Sequence, residues 1–466
     1  MNLQPVLLWS DLLLWLIVLA AAALALVSLR SAPLRLGWRR LGERNVATAT
    51  GVWLLAFLAL GLADSLHYRL PLPAGDAAAE TRYGVEVFSV LDALAAPLRE
   101  QHEKSYSAPL ATRLAMMESA ETPAGTVRVY PRLRHGGAHL GDNESGRDAD
   151  VLVRLAAALA LAALCWLSAL AFVLWCLWRA GKRNLRQNLA ALWRGETAFA
   201  WRGALLALAA LLFTLLPLFL LAGSYHVFGT DKVGQDVFYQ VLKSVRTALI
   251  IGLVTTLVTL PLALGLGVVA GYFRGWVDDA IQYLYTVLHS IPGVLLIAAA
   301  VLMMQVMIDT HPHWFSTAAE RADARLLALC AILGMTSWTG LARLLRGETL
   351  KLRELEYVLA ARAFGVSSGR ILLRHILPNL SHIVVITLVM DFSGLVLAEA
   401  VLSYVGIGVD PTMTSFGGMI NNARMELSRE PAVWWSLAAA FVFMFALVLS
   451  ANLFADAVRE AFDPRG

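Results

Sequence analysis

Apolar residues in this chain come in long unbroken windows separated by short basic connectors. A helix needs about 20 apolar residues to cross a hydrocarbon core of about 30 Å, and windows of that kind fall at about 7–29, 47–66, 151–178, 203–222, 245–270, 280–307, 325–345, 381–405 and 432–455. The pattern predicts an all-α fold, a polytopic transmembrane helical bundle of about nine spans. Pro261 and Pro292 fall inside predicted spans and read as kinks of the kind that serve as hinges.

Charge orients these spans. Arg30, Arg35, Arg39, Arg40 and Arg44 come after the first window, and Arg179, Lys182, Arg183, Arg186 and Arg194 after the third. Lys and Arg accumulate in cytoplasmic loops, and the spans between these clusters return the chain to the same side. Alternation carries residues 346–380 there too, with Arg346, Lys351, Arg353, Arg362, Arg370 and Arg374. The expected topology has the N-terminus outside and the C-terminus in the cytoplasm. No Lys or Arg precedes the first window, so it reads as a span rather than a cleavable signal peptide.

The chain divides into four regions: a pair of spans in 1–66, an external subdomain in 67–150, a third span with its basic connector in 151–202, and a transmembrane domain in 203–466 that carries the cytoplasmic loop 346–380. In the external segment, Val85–Arg99 and Ala108–Met117 have helical apolar spacing, while Thr122–Gly146 is irregular. Asn143-Glu-Ser145 matches a glycosylation sequon, a short and common pattern. His102, His135 and His139 lack ligand-like spacing to Cys or carboxylates, so no metal site is predicted.

Composition removes a soluble reading: of 466 residues 58% are hydrophobic and only 15% charged, and the mean hydropathy is +0.64. The net charge of +4 does not point to nucleic acid, because the basic residues stand beside the apolar windows. Cys165, Cys176 and Cys330 lie in or beside spans without CxxC or Cys/His patterns and read as packing residues.

Polar motifs concentrate in the second half. In His226–Asp236, Gly229 and Gly234 allow sharp turns, Thr230 and Asp231 are placed to cap the next helix, and Asp236 opens an amphipathic stretch. Gly271–Asp279 reads as a tight turn with an interfacial Trp276 and solvated Asp278 and Asp279. The loop after the seventh window is richer. Leu355, Val358 and Leu359 stand at helical spacing, with Ala360, Ala361, Arg362 and Ala363 after them; Gly365 closes that helix. Ser367 or Ser368 caps a second helix over Gly369–Leu377, and Pro378 marks its end. This helix–turn–helix suits a groove on another protein; the other local reading is an interfacial helix on lipid headgroups.

Charges within spans are costly and point to cavities or partners. Asp391 and Glu399 share the eighth window, about 80° apart around a helix. Glu399 either lines a pathway or braces a partner interface, whereas Asp391 is expected to snorkel or to pair with a basic residue such as Arg343.

Ala360-Ala361, Gly365 and His375-Ile-Leu-Pro378 together resemble the EAA loop of ABC importer permeases of the dipeptide, oligopeptide and nickel group. Residues 226–236 are similar to that family's FGTDxxGRDV segment, and 271–278 to its AGYxGGWVD turn. Leu397–Gly408 and Asp456–Arg465 are similar to its LAEAxLSFLGLG and LRDxLDPR segments. Two positions depart: Leu359 stands where the family has the Glu of EAA, and Gln235 where it has Arg. Glu356, one turn earlier, is a substitute for the missing carboxylate.

The resemblance implies a type I ABC importer permease core in 203–466, in a bacterial inner membrane. It implies a coupling set of Glu356, Leu359, Ala360, Ala361, Arg362, Gly365, Ser367, Arg370, His375 and Pro378, and an external gate of Gly229, Thr230, Asp231, Gly234 and Asp236. Implied partners are a homologous permease, two ABC ATPase subunits, an external solute-binding protein and the bilayer. No GxxxxGK[ST] occurs in the sequence, so ATP and Mg are assigned to the ATPase subunits, with no cofactor and no catalytic residue on this chain. Cargo is expected to be di- or oligopeptides, with nickel or another small solute as the alternative. The first three spans and the external segment lie outside the resemblance and look like an addition. An ATP-independent transporter or channel is the reading from another class; it predicts internal repeats, and none is visible between the halves. An enzyme or sensor on the N-terminal 150 residues requires a convergent polar cluster, which the sequence does not display.

Overall fold

The protein is described by a computed structural model covering residues 4–28, 30, 32–71, 83–122, 125–141, 146–181 and 184–462. The sequon at Asn143, the basic residues Lys182 and Arg183 and the tail past Phe462 lie outside the described residues.

In chain order the elements are β1 (Gln4–Val6), α1 (Trp9–Ser28), α2 (Ala32–Glu43), α3 (Asn45–Asp64), β2 (His67–Arg69), β3 (Phe88–Ser89), α4 (Val90–Leu94), α5 (Ala96–Glu100), β4 (Glu118–Thr122) and β5 (Gly125–Val129). Then come α6 (Arg147–Gly181), α7 (Leu185–Arg194), α8 (Trp201–Ala222), α9 (Val237–Phe273), α10 (Gly275–Ser290), α11 (Gly293–Thr310) and α12 (Ala318–Arg353). The chain closes with α13 (Glu356–Ala363), α14 (Ser368–Ile371), α15 (Leu377–Tyr404), α16 (Phe416–Glu426) and α17 (Trp435–Phe462). Among the described residues, 9 helices are long and apolar enough to cross a membrane. The fold is therefore the helical, multi-pass class expected from the hydropathy.

Two compact units divide the chain. The first comprises 1–6, 29–247 and 414–457; the second comprises 7–28, 248–413 and 458–466. In the first, α8 packs on α3 and α6. Gly203 of α8 approaches α3 so closely that a Cβ there would lie 2.6 Å from Thr48 Oγ1, while Trp166 Nε1 of α6 donates to the Leu205 carbonyl at 2.9 Å. Strands β1, β2 and β3 form an antiparallel sheet, and β4 and β5 a hairpin. A buried cluster of Leu91, Ala95, Leu98, Leu221, Ala222, Val227, Phe238, Tyr239 and Leu242 lies beneath α4 and α5.

In the second unit α1, α11 and α15 pack on α12. The backbone N–H of Ser10, near the start of α1, donates to Asp323 Oδ2 at 3.2 Å. Gly267 and Gly271 of α9 form a small-residue pair four apart: a Cβ at Gly267 would lie 2.6 Å from the Ala342 carbonyl, and one at Gly271 2.8 Å from that of Arg346.

Several local expectations are corrected. Ala108–Met117 is not a helix but turns and isolated bridges, because Ser107, Leu114 and Arg113 pair across to other backbone. The supposedly irregular stretch after Thr122 begins with the second strand of a hairpin, in register Thr122↔Gly125 through Glu118↔Val129. Helices in Val85–Arg99 do form, started by a Ser89/Asp92 capping box. The sixth window is two helices rather than one kinked span: Ile291 is extended before Pro292, whose carbonyl then accepts the first bonds of α11. Pro261, by contrast, stays inside α9. Asp278 is not a solvated loop charge. It lies in the first turn of α10, 7% exposed, and receives a bidentate pair from Arg346 at 2.6 and 2.7 Å.

Candidate functional site

The connector between α12 and α15 is a helical elbow. α13 ends in a Schellman motif: Gly365, at φ +71°, donates to the Arg362 carbonyl at 3.1 Å, and Val366 donates to that of Ala361 at 3.1 Å. A Cβ at Gly365 would meet nothing within 4 Å, so the glycine is needed for its backbone angle and not for space. Ser367 takes the N-cap position of α14 without a side-chain cap bond; its carbonyl receives Arg370 and Ile371 at 3.0 and 3.1 Å. Pro378 does not end the second helix as the sequence suggested. The chain passes from α14 through a π turn at Leu372–Ile376 directly into α15, where Pro378 occupies the first turn and its missing N–H goes unneeded.

One face of the elbow is fixed. Val358, Ile371, Ile376 and Leu380 are buried with Val268, Tyr272, Trp338, Leu341 and Leu345, and Ala361 and Val366 pack on them. Arg353 donates to the Tyr272 carbonyl at 2.5 Å, and Arg274 pairs with Glu354 at 2.7 Å. Asn379 Nδ2 donates to Tyr357 Oη at 3.0 Å and to the His375 carbonyl at 2.7 Å, with the Tyr357 and His375 rings 6.1 Å apart. The other face is open: Glu356, Leu359, Ala360, Arg362, Gly365, Ser367, Arg370 and Pro378 are exposed or half-buried, and Phe364 is 86% exposed. Sequence reading passed over Phe364; its signal was a large apolar side chain directly before the helix-ending glycine.

The turn at 226–236 is built differently. Asp236 caps α9, accepting from the Phe238 and Tyr239 amides at 2.8 and 3.2 Å. Asp231 holds the turn itself, accepting from Val233 and Gln235 at 3.0 and 2.9 Å. Thr230 caps nothing. Its hydroxyl donates to the Ser105 carbonyl at 2.8 Å and accepts from the Ser107 amide at 2.7 Å, while Trp435 Nε1 donates to its carbonyl at 3.0 Å. Gly229 and Gly234 have positive φ, and a Cβ at Gly234 would strike the Glu103 carbonyl.

Beneath this turn lies a buried ionic group that the sequence did not reveal. His226 Nδ1 stands 2.7 Å from Asp236 Oδ2, and His226 Nε2 stands 3.4 Å from Glu103 Oε1. Glu103 also accepts the amides of Arg134, His135 and Gly136 at 2.8, 2.8 and 3.1 Å. Burial opposes ionisation of Glu103, but His226 and the three amides outweigh it and hold its carboxyl at about 2 instead of 4.5. Burial likewise opposes charge on His226, yet Asp236 and Glu103 raise it from 6.5 to about 9. Nearby, Lys243 bridges Asp64 and Asp92 at 2.6 and 3.0 Å. Through Asp92, Glu103 and the apolar Leu91, Ala95 and Leu98, the external segment is therefore tied to the start of α9.

Of the carboxylates within spans, Glu399 is 2% exposed and accepts the Ser403 hydroxyl at 2.6 Å. Asp391 is half-buried and does not pair with Arg343, which instead meets His289 Nε2 at 2.7 Å and lies over the Tyr285 ring.

The described chain is a multi-pass helical membrane protein with a one-face-anchored connector between two of its spans. The chain belongs to the family described as binding-protein-dependent transport system inner membrane component, whose sequence profile matches residues 263–465. It is 34% identical over 244 residues to the glutathione transport system permease protein GsiD of Pectobacterium atrosepticum, covering 52% of this chain and 73% of that protein. To the oligopeptide transport system permease protein OppC of Mycobacterium bovis it is 31% identical over 242 residues, 52% of this chain and 77% of the relative. To the dipeptide transport system permease protein DppC of Lactococcus lactis subsp. cremoris it is 30% identical over 240 residues, 52% and 64% of the two chains.

Proposed function

We propose that this chain is one of two homologous permease subunits of an ATP-driven importer, and that its cargo is small peptides. The observation that carries the mechanism is the two-faced elbow. Val358, Ile371 and Ile376 root it in the packing around α12, while Leu359, Phe364 and the backbone around Gly365 stand free. In this reading the free face seats in a cleft of a separate ATPase subunit. Glu356, Arg362 and Arg370 supply polar contacts at its edge, Ala360 and Ser367 allow close approach, and Ala361 packs on the anchored face. His375 and Pro378 carry the displacement into α15. Closure of the ATPase pair pushes α13, and the anchored face passes that push to α12 and α15, exchanging access between the two sides.

ATP and Mg belong to the ATPase subunits, and this chain performs no covalent step. Gly229, Thr230, Asp231, Gly234 and Asp236 shape the outer end, where an external binding protein delivers cargo; Glu399 and Asp391 serve the pathway or the paired permease. In this reading the basic connectors lie in the cytoplasm, with the N-terminus outside and the C-terminus inside. The peptide assignment is supported by the relatives, whose names specify dipeptide, oligopeptide and glutathione transport.

The test is copurification with the cognate ATPases together with uptake of a labelled dipeptide. Gly365→Pro is expected to abolish uptake while the membrane-embedded chain remains. ATPase-free purification with uptake intact in Gly365→Pro would sink the coupling reading. Uptake of nickel in place of the dipeptide would reassign the cargo alone.

A further inference from the structure

The connector between α6 and α8 carries a second unpartnered surface, in a part of the chain the family profile does not reach. Helix α7 is capped at both ends, by an Asn184/Gln187 capping box and by Gly195 in the left-handed region, so it is a built element and not a loose linker. Asn188, Ala191 and Leu192 face inward, and Leu192 packs with Val173, Leu174 and Leu205. The outward stripe is apolar as well: Leu185, Leu189 and Trp193 stand at i, i+4 and i+8 and are 66%, 38% and 48% exposed. Arg186 and Arg194 flank that stripe, both exposed, and among the described residues neither pairs with a carboxylate. Arg202 lies over the Trp193 ring at 5.9 Å and donates to its carbonyl.

The position of this helix limits what can cover it. α6 ends at Gly181 and α8 begins at Trp201, and both are apolar enough to cross a membrane, so α7 lies at the mouth of two spans. The last turns of α6 present Trp175 and Trp178, 49% and 55% exposed, with Arg179 over the Trp175 ring. Helix α2 and the start of α3 share this end: the Ala200 amide donates to the Gly42 carbonyl of α2 at 2.7 Å, and Gly203 donates to Asn45 Oδ1 of α3 at 3.2 Å. α2 adds exposed Arg35, Leu36, Arg39 and Arg40. Exposed tryptophans, exposed arginines and an apolar helical stripe at the ends of apolar spans are the composition of a membrane interface.

We propose that α7, supported by α2, lies in the headgroup layer and binds anionic phospholipid: Leu185, Leu189 and Trp193 enter the acyl boundary while Arg186, Arg194 and Arg202 take lipid phosphates. A water-facing connector gains nothing from three apolar residues on successive turns. A lipid leaflet supplies both their solvent and the counter-charge for the arginines.

The experiment uses the full chain in nanodiscs of phosphatidylcholine with phosphatidylglycerol, and mass spectrometry of the lipid retained on detergent extraction. Phosphatidylglycerol is expected to be enriched over its bulk fraction, by an amount that falls about fivefold for each of Arg186→Gln and Arg194→Gln and declines with added salt. Arg186→Lys with Arg194→Lys keeps the enrichment, which separates lost charge from lost folding. Brominated phosphatidylglycerol is expected to quench emission in the wild type more than in Trp193→Phe. Equal enrichment in wild type and the glutamine variants, or equal quenching in wild type and Trp193→Phe, overturns the proposal; in the second case the stripe faces something other than lipid.

Discussion

Two glycine-jointed turns of this protein solve opposite problems. At 229–234 the positive-φ glycines are pressed against distant backbone, Ser107 at Gly229 and Glu103 at Gly234, over buried His226, Asp236 and Glu103. At Gly365 the same backbone conformation stands in open space, with anchoring side chains on one face only. The first turn is enclosed and held by charge. The second is held by apolar packing and left free where a partner must reach it. Enclosure makes every group of the first turn interdependent, whereas the second can change its outer face without disturbing its root.

The largest separation between them is expected for Glu103→Ala, which leaves His226 Nε2 and three amides without their acceptor while Asp236 still faces His226 Nδ1. Thermal or denaturant unfolding of the purified chain should show a loss of about 3–5 kcal/mol. Next, Gly234→Ala should cost on the order of 3 kcal/mol, since strain and collision add, while Gly365→Ala should cost about 1 kcal/mol from backbone strain alone. Equal losses at the two glycines would break the distinction. Ile371→Ala probes the root of the elbow and is expected to cost about 2–4 kcal/mol as a buried cavity. The smallest effect on stability, within about 0.5 kcal/mol, belongs to the exposed Leu359→Glu; its readout is ATPase copurification, which should rise if a carboxylate strengthens the contact.

Acidity sharpens the same contrast. Glu103 is held at about 2 against an ordinary 4.5, so its stabilisation is full above pH 4.5 and is lost as pH falls through about 2. His226 is raised to about 9 from 6.5, so its contribution is full below pH 6.5 and is lost as pH rises through about 9. Unfolding measured across pH should show a plateau between those limits for the wild type, with the acid arm weakened in Glu103→Gln.

Sequence legibility tracked the range of the forces involved. Gly365 and the helix over Glu356–Ala363 are readable because backbone angle and helix termination act within a few residues; the cap of α9 is read at Thr230 and Asp231, whereas Asp236 makes it. Pro292 and Pro261 read alike from the local pattern, as kinks, yet Pro292 separates α10 from α11 whereas Pro261 stays inside α9; the surroundings of each proline, not the local pattern, separate the two outcomes. The local pattern points Asp278 to solvent and Thr230 to a cap because their partners, Arg346 and Ser107, are far away in the chain.

The apolar windows alone settled that this is a multi-pass helical protein, because the length of a span is set by the bilayer and every backbone group within it must be satisfied by its own helix. Only the tertiary structure decided that Glu103, from a segment outside the recognised core, would be the acceptor beneath the 226–236 turn, and which face of the 356–376 elbow would stay bare. Burial and ion pairing are relations between distant residues, and no periodicity along the chain encodes them.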